Sequence, residues 1–287
     1  MNAETEIDTG MAAIAGVGPG FSLPDPADLP TLKGRVPDAE WRIRCDLAAT
    51  YRLVALYGWD DLVFTHISAR LPDEANEAGE PEARFLINPY GVLFGEMTAS
   101  ALVKVGMDGN TVADSPYFTN PAGFTIHSAV HSARHDAGCV LHLHSPHGVA
   151  VSAQRDGLRR YTQFSMIVSG DLAYHDYEGI ALDLGERERL IADLGARSFM
   201  LLRNHGTLTL GDNCAIAFLR MYFLEQACRA QVLAQAAGTE ALLEDTPEME
   251  AKVGGQGAPA FAKGMGDNLV WPGLMRRLRR ENPGFDR

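Results

Sequence analysis

The chain has 287 residues, 46% of them hydrophobic, and a formal net charge of −12. That balance is ordinary for a globular protein with a sizeable core, and it argues against nonspecific binding to nucleic acid or to an anionic membrane surface. No apolar run reaches membrane-spanning length, the first basic residue is Lys33, and Cys45, Cys139, Cys214 and Cys228 show no Cys-x-x-Cys spacing. The expectation is therefore a reduced, cytoplasmic protein without a secretory leader or a disulfide framework.

Residues 1–36, acidic and then rich in glycine and proline, keep no period of 2 or 3.6. They read as an irregular arm, suited to lying on a partner subunit. Pro37-Asp38 opens a helix with Ile43, Leu47, Tyr51 and Val54 on one face, ended by Gly58. Residues 61–71 alternate as a strand, with Phe64, His66, Ser68 and Arg70 on one face. A Glu- and Pro-rich loop (72–83) leads to a strand over 84–88, a turn at Pro89-Tyr90-Gly91 and a helical turn capped by Thr98. A strand over 102–105 then meets an Asp108-Gly109-Asn110 hairpin turn. Asn120-Pro121-Ala122-Gly123 precedes a helix over 124–136, which carries His127 and His131 at i, i+4. Two ligands are compatible with that spacing, but Ser128 stands where a His-Glu-x-x-His protease needs its Glu, so both read as helix-face residues.

The informative stretch is 139–148, Cys-Val-Leu-His-Leu-His-Ser-Pro-His-Gly. Alternation along a strand puts His142 and His144 on one face, one pleat apart, as a pair of imidazole ligands for a single metal ion. A third, His205, ends another apolar strand (199–202) at a Gly206 turn. Three protein ligands with open positions is the pattern of a catalytic metal site. The same residues also fit histidines packed as hydrogen-bonded core groups. A Pro-initiated helix runs over 146–153. The cluster Tyr174-His175-Asp176-Tyr177-Glu178-Gly179 reads as a solvated loop or as the lining of a cleft. A helix over 186–194, the partner strand 207–210 and a long helix over 213–237 follow. Residues 238–270 show only weak helical pattern. Arg276, Arg277, Arg279 and Arg280 beside Trp271, Leu274 and Leu278 mark a helix face turned to solvent or to another subunit. Strands and helices alternate without a regular βαβ cadence, so the expected fold is α/β with a mixed, largely antiparallel sheet. The expected divisions are an arm (1–36), a metal-binding domain (37–237) and a C-terminal extension (238–287).

The order of these signals resembles the class II aldolase/adducin family. Thr65-His66-Ile67-Ser68-Ala69-Arg70 is similar to its early Gly-Asn-x-Ser-x-Arg strand, and Ile87-Asn88-Pro89-Tyr90-Gly91 to its Ile-Thr-Pro-Ser-Gly turn. Glu96-Met97-Thr98, His142-Leu143-His144 and Asn204-His205-Gly206 complete the likeness, which covers roughly 38–235. The resemblance implies a three-layer α/β/α domain and a homotetramer with sites at subunit interfaces. It also implies one divalent metal ion per chain on His142, His144 and His205, zinc first, with manganese, iron or cobalt as other options. Three departures qualify it. The aldolases' proton-transfer Glu, four residues before the helix His, is matched here by Gly123. The small hydroxyl residues that hold phosphate are replaced by Tyr90 and by Pro121-Ala122. His66 replaces an Asn. The Asn-Pro-Ala-Gly-Phe segment resembles the adducin-like branch, which includes noncatalytic cytoskeletal proteins.

The leading expectation is a metal-dependent lyase that cleaves a C–C bond, by retro-aldol reaction or decarboxylation, in a non-phosphorylated hydroxy-carbonyl or oxo-acid substrate. By residue type His66 is the best substitute for the absent base, because imidazole titrates near neutrality; a hydrogen-bonded strand histidine is the alternative. Tyr90, to orient or protonate substrate, and Tyr177 come next. Two other classes are an Fe(II)-dependent oxygenase on the same three histidines and a noncatalytic adducin-like binding protein, which has no need of three converging imidazoles. The expected partners are a small molecule and further copies of the chain, not nucleic acid or membrane.

Overall fold

A computed structural model describes residues 17–287 apart from 19, 76–78, 180–184 and 263, so residues 1–16 of the expected arm lie outside the described residues. Residues 20–36 form only turns and irregular backbone. The chain then enters helix α1 (Asp38–Leu56), strand β1 (His66–Arg70), the short pair β2 (Glu74–Ala75) and β3 (Pro81–Glu82), β4 (Arg84–Ile87) and β5 (Val103–Gly106). Helix α2 (Pro121–Ala133), β6 (Cys139–Leu143), α3 (Pro146–Ser152), α4 (Gln163–Ser169), β7 (Leu172–His175) and α5 (Glu186–Leu194) follow. The remainder is β8 (Phe199–Leu202), β9 (Gly206–Gly211), α6 (Cys214–Gln235), α7 (Pro247–Gly257) and α8 (Trp271–Glu281).

Seven strands form one sheet in the order β5-β4-β1-β6-β9-β8-β7. Every pairing is antiparallel except β7 with β8, which are parallel and joined through α5. Alternation sorts side chains between two helical layers. Ile67, Ala69, Cys139, Leu141 and Leu143 pack with Leu47 and Tyr51 of α1 and with Phe218 and Met221 of α6. From the opposite face, Val140, Met200, Leu202, Leu208 and Leu210 pack with Ile126 and Val130 of α2 and with Leu190 and Leu194 of α5. The fold is thus the three-layer α/β/α arrangement with a mixed, largely antiparallel sheet that the sequence suggests.

Tyr51 joins α1 to the sheet at the point where β1 and β4 part. Its buried hydroxyl donates to the Ile67 carbonyl and accepts the Ile67 amide (2.8 Å) and the Asn88 amide (3.1 Å). One phenol thus satisfies backbone groups that would otherwise be orphaned one residue from His66.

Several elements differ from the sequence reading. The alternation over 61–71 becomes a strand only from His66, because Leu62 takes a left-handed φ of 48° and turns the chain. Helix α2 begins at Pro121 rather than 124, since proline's fixed φ suits a first helical position. Tyr174 and His175 belong to β7, not to a loop. The weakly patterned 238–270 region contains α7, capped by Thr246 with Pro247 behind it. Gly257 allows a close approach there, since a Cβ on it would stand 2.6 Å from Ile167 of α4.

The chain end is tied to α1. Met275, Leu278 and Phe285 enter the same core as Leu47 and Tyr51, and the Trp271 indole N–H donates to Asp46 at 3.2 Å. The Arg52 guanidinium spans the Met97 carbonyl (2.6 Å) and Asn282 (2.7 Å), while Phe285 and Arg287 carbonyls accept the Ala99 and Ser100 amides at 2.8 and 2.9 Å. Leu278 is fully buried, so Leu278→Ala should lower unfolding free energy by about 2–5 kcal/mol, through lost burial and the cavity left behind. Urea titration checks this as a lower midpoint at unchanged m-value.

Candidate metal centre

Three strand ends bring the imidazoles together. β6 carries His142 within the strand and His144 just past its end. The tight β8–β9 turn carries His205, with Asn204 before it at φ 54°, a conformation that Asn tolerates better than most residues. Gly206 follows because a Cβ there would lie 2.4 Å from the Leu143 carbonyl. The ring centroids are 5.0 Å (His142–His144), 4.7 Å (His142–His205) and 4.8 Å (His144–His205) apart. One ligand nitrogen from each lies within 4.8 Å of the other two.

The surrounding groups fix which nitrogens point inward. The His142 Nδ1–H donates to the Thr207 carbonyl at 3.1 Å, and the His144 Nδ1–H to Asp61 at 3.0 Å. This leaves the Nε2 atoms as ligands, and that of His144 is buried without a partner. Burial, then the neighbouring His205 and His144, holds His142 well below the usual imidazole range; burial, then His144 and His175, lowers His205 to about 4. Three converging imidazoles, the outer nitrogens of His142 and His144 engaged by a carbonyl and a carboxylate, are the donor set a divalent cation takes, so the residues present fit a metal ion. Of these supports, Asp61 and the Thr207 carbonyl were not anticipated, and neither has a local signature in the sequence.

His66 is brought to the same place by register. β1 runs antiparallel to β6 with His66 directly opposite His142, so both side chains leave the same face. His66 is 3% exposed, and neither of its ring nitrogens has a hydrogen-bond partner. Burial, with His144 and His205 adding to it, lowers its pKa to about 3, so the ring is neutral. The space it fills belongs to Gly123: a Cβ at that position would lie 2.5 Å from the His66 Cγ and Cδ2. The aldolase Glu position and the His66 ring therefore exclude each other.

The other expected residues are spread more widely. Tyr177 is about half exposed, with its ring 6.3 Å from that of His205. Tyr90 goes elsewhere: its amide donates to the Phe118 carbonyl at 2.8 Å and its ring packs against Phe118. Among the described residues no hydrogen bond or ring contact joins it to the histidines. His127 and His131 turn inward onto Ser68 rather than to the three-histidine cluster. A cavity of about 590 Å³ between α4 and α7, lined by Ile167, Asp171, Arg220 and Glu250, includes none of these residues.

The chain belongs to the class II aldolase/adducin family. Residues 45–232 match the Class II Aldolase and Adducin N-terminal domain. A Caulobacter vibrioides protein bearing the name "Putative aldolase class 2 protein" is 56% identical over 259 residues, 90% of this chain and 97% of that one. Alpha-adducin of Mus musculus is 42% identical over 256 residues, 85% of this chain but 33% of the adducin. The crystal structure of an aldolase II superfamily protein from Pseudomonas syringae superposes with a TM-score of 0.82 at 47% identity, covering 90% of this chain and all of that one.

Glu225 of α6 lies behind the centre. Its Oε1 accepts the hydroxyls of Ser145, next to His144, and of Thr207, two residues after His205, while its Oε2 is buried without a partner. Burial raises its pKa to about 7, against the lowering effect of those hydroxyls. A carboxyl whose folded pKa lies above its unfolded value holds its proton longer when folded, so the contribution of Glu225 to stability is greatest at low pH and falls as pH rises from about 4.5 to about 7. Glu225→Gln should remove this slope, gaining on wild type by roughly 3 kcal/mol across that window. Denaturant titrations at several pH values measure the difference.

Proposed function

We propose that the chain is a metal-dependent lyase that cleaves a C–C bond in a small, non-phosphorylated hydroxy-carbonyl or oxo-acid substrate. It would work as a homo-oligomer with one divalent ion, zinc first, on His142, His144 and His205. The observation that carries this reading is the exchange of volume between Gly123 and His66. Where the aldolase carboxylate is missing, a neutral imidazole with two partnerless nitrogens stands beside the metal ligands.

An ion held by His142, His144 and His205 would supply a Lewis acid for negative charge developing on substrate oxygen as the bond breaks. His66 moves the proton. In a retro-aldol cleavage it takes the proton of the hydroxyl whose carbon–carbon bond breaks and returns it to the carbon left electron-rich; in a decarboxylation it would first take a proton from water and then pass it from the imidazolium to that carbon. Its buried ring gains from an anionic substrate, which offers the opposite charge its imidazolium form lacks. Tyr177, whose ring lies 6.3 Å from that of His205, would cover bound substrate. Neither Tyr90 nor the Pro121-Ala122 segment offers a compact hydroxyl and amide cradle for a phosphate dianion, and Pro121 has no N–H to donate.

The likeness to alpha-adducin supports a noncatalytic binding role as a second reading. Such a role gives no reason to bury partnerless imidazole nitrogens, each of which costs desolvation energy.

Elemental analysis should find one divalent ion per chain in the wild type and none in His142→Ala. In a panel of hydroxy-carbonyl and oxo acids, His66→Ala should lower kcat by about 10²–10⁴-fold with metal content intact. Gly123→Ala should do the same by displacing the ring, and the double variant should be no worse than either alone. Efficient turnover of a ketose 1-phosphate, or no turnover of any panel member by metal-loaded protein, contradicts the reading.

A further inference from the structure

The i, i+4 histidines of α2 have no role in the metal cluster, yet both are fully buried against β1. Ser68 lies between them, its Oγ 2.6 Å from His127 Nδ1 and 2.7 Å from His131 Nε2. The His131 Nδ1 in turn lies 3.0 Å from the Ala137 carbonyl.

Counting hydrogens determines every direction in this chain. A carbonyl only accepts, so His131 carries its proton on Nδ1. Burial holds both rings neutral, His131 at about 4 and His127 well below the usual range, the latter with His66 and His131 adding to the effect. A neutral His131 therefore presents a bare Nε2, which takes the single hydroxyl hydrogen of Ser68. With that hydrogen spent, Ser68 Oγ accepts, and His127 must donate from Nδ1. The His66 carbonyl also lies near the His127 ring, but the reverse tautomer sets two bare nitrogens against one hydroxyl hydrogen. His127 Nε2 is thus a lone pair, buried and without a partner.

The neighbouring ring is that of His66, 6.1 Å away between centroids and at 79°. Its two nitrogens are likewise buried and partnerless. No hydrogen bond joins the two rings, and a rotation of His66 or one bridging water would connect them.

We propose that His127 is a positioning residue for proton transfer at the metal centre. The Ala137–His131–Ser68 chain locks its Nε2 bare, and this lone pair holds a proton on the near nitrogen of His66, leaving the far nitrogen of His66 unprotonated toward substrate. The proposal rests on the reading of His66 as the proton-transfer group, and it gives His127 and His131 a purpose that their i, i+4 spacing alone does not.

The test is a long-range ¹⁵N–¹H correlation spectrum of zinc-loaded protein labelled at histidine, in which protonated and bare ring nitrogens resonate in separate ranges. Wild type should show His127 and His131 each as a single tautomer protonated on Nδ1. In Ser68→Ala, His131 keeps its tautomer through Ala137, whereas His127 loses its single-tautomer signature. The same variant should lose about 10-fold or more in kcat at unchanged KM and metal content. A wild-type His127 protonated on Nε2 overturns the proposal and requires no variant to fold. A Ser68→Ala protein with wild-type kcat overturns it as well. Full turnover by His66→Ala overturns instead the reading on which it rests.

Discussion

The register of β1 against β6 governs this molecule. With His66 opposite His142 and Ser68 opposite Val140, one sheet face carries a candidate metal ligand, a candidate proton carrier and the hydroxyl that orders the helix above it. A slip of β1 by one residue would turn His66 and Ser68 into the apolar layer beneath α1 and α6, away from His142. The register is therefore secured from both sides. Tyr51 completes the backbone hydrogen bonds where β1 leaves β4, and β9 holds the other edge of β6 through Thr207, Leu208 and Thr209.

A cluster of buried imidazoles is costly unless something fills its lone pairs and offsets its desolvation. Here the outer nitrogens are satisfied by protein: His142 by Thr207, His144 by Asp61, and His131 by Ala137. The inner nitrogens of His66, His127 and His144 are not. These three residues gather around β1 and β6, where a cation and a substrate would take up the free lone pairs. Leu62, at φ 48°, lies beside Asp61, so backbone strain is tolerated in the segment that holds His144 in place.

Much of this was legible in the sequence because it depends on short-range periodicity. Alternation puts His142 and His144 on a common side, a glycine turn marks His205, and the apolar pattern gives the sheet and most of its helices. Other features depend on contacts between residues remote in sequence. Asp61 and Glu225 have no local signature. Helix α7 is disguised by its glycines, of which Gly257 lets it approach α4, and β7 is too short for its alternation to stand out among titratable residues. Gly123 and His66 each departed visibly from the family pattern. That the two departures occupy one volume emerges only when α2 is laid on β1.

The most direct test is exchange of the hydrogen on the carbon next to the carbonyl of the product, followed by proton NMR in heavy water. That exchange isolates the proton step from bond cleavage. The account predicts exchange with metal-loaded wild type, none after chelation, and none with fully metal-loaded His66→Ala. Undiminished exchange by His66→Ala would show that the proton travels through another group, and the role assigned to the imidazole in the Gly123 space would be wrong.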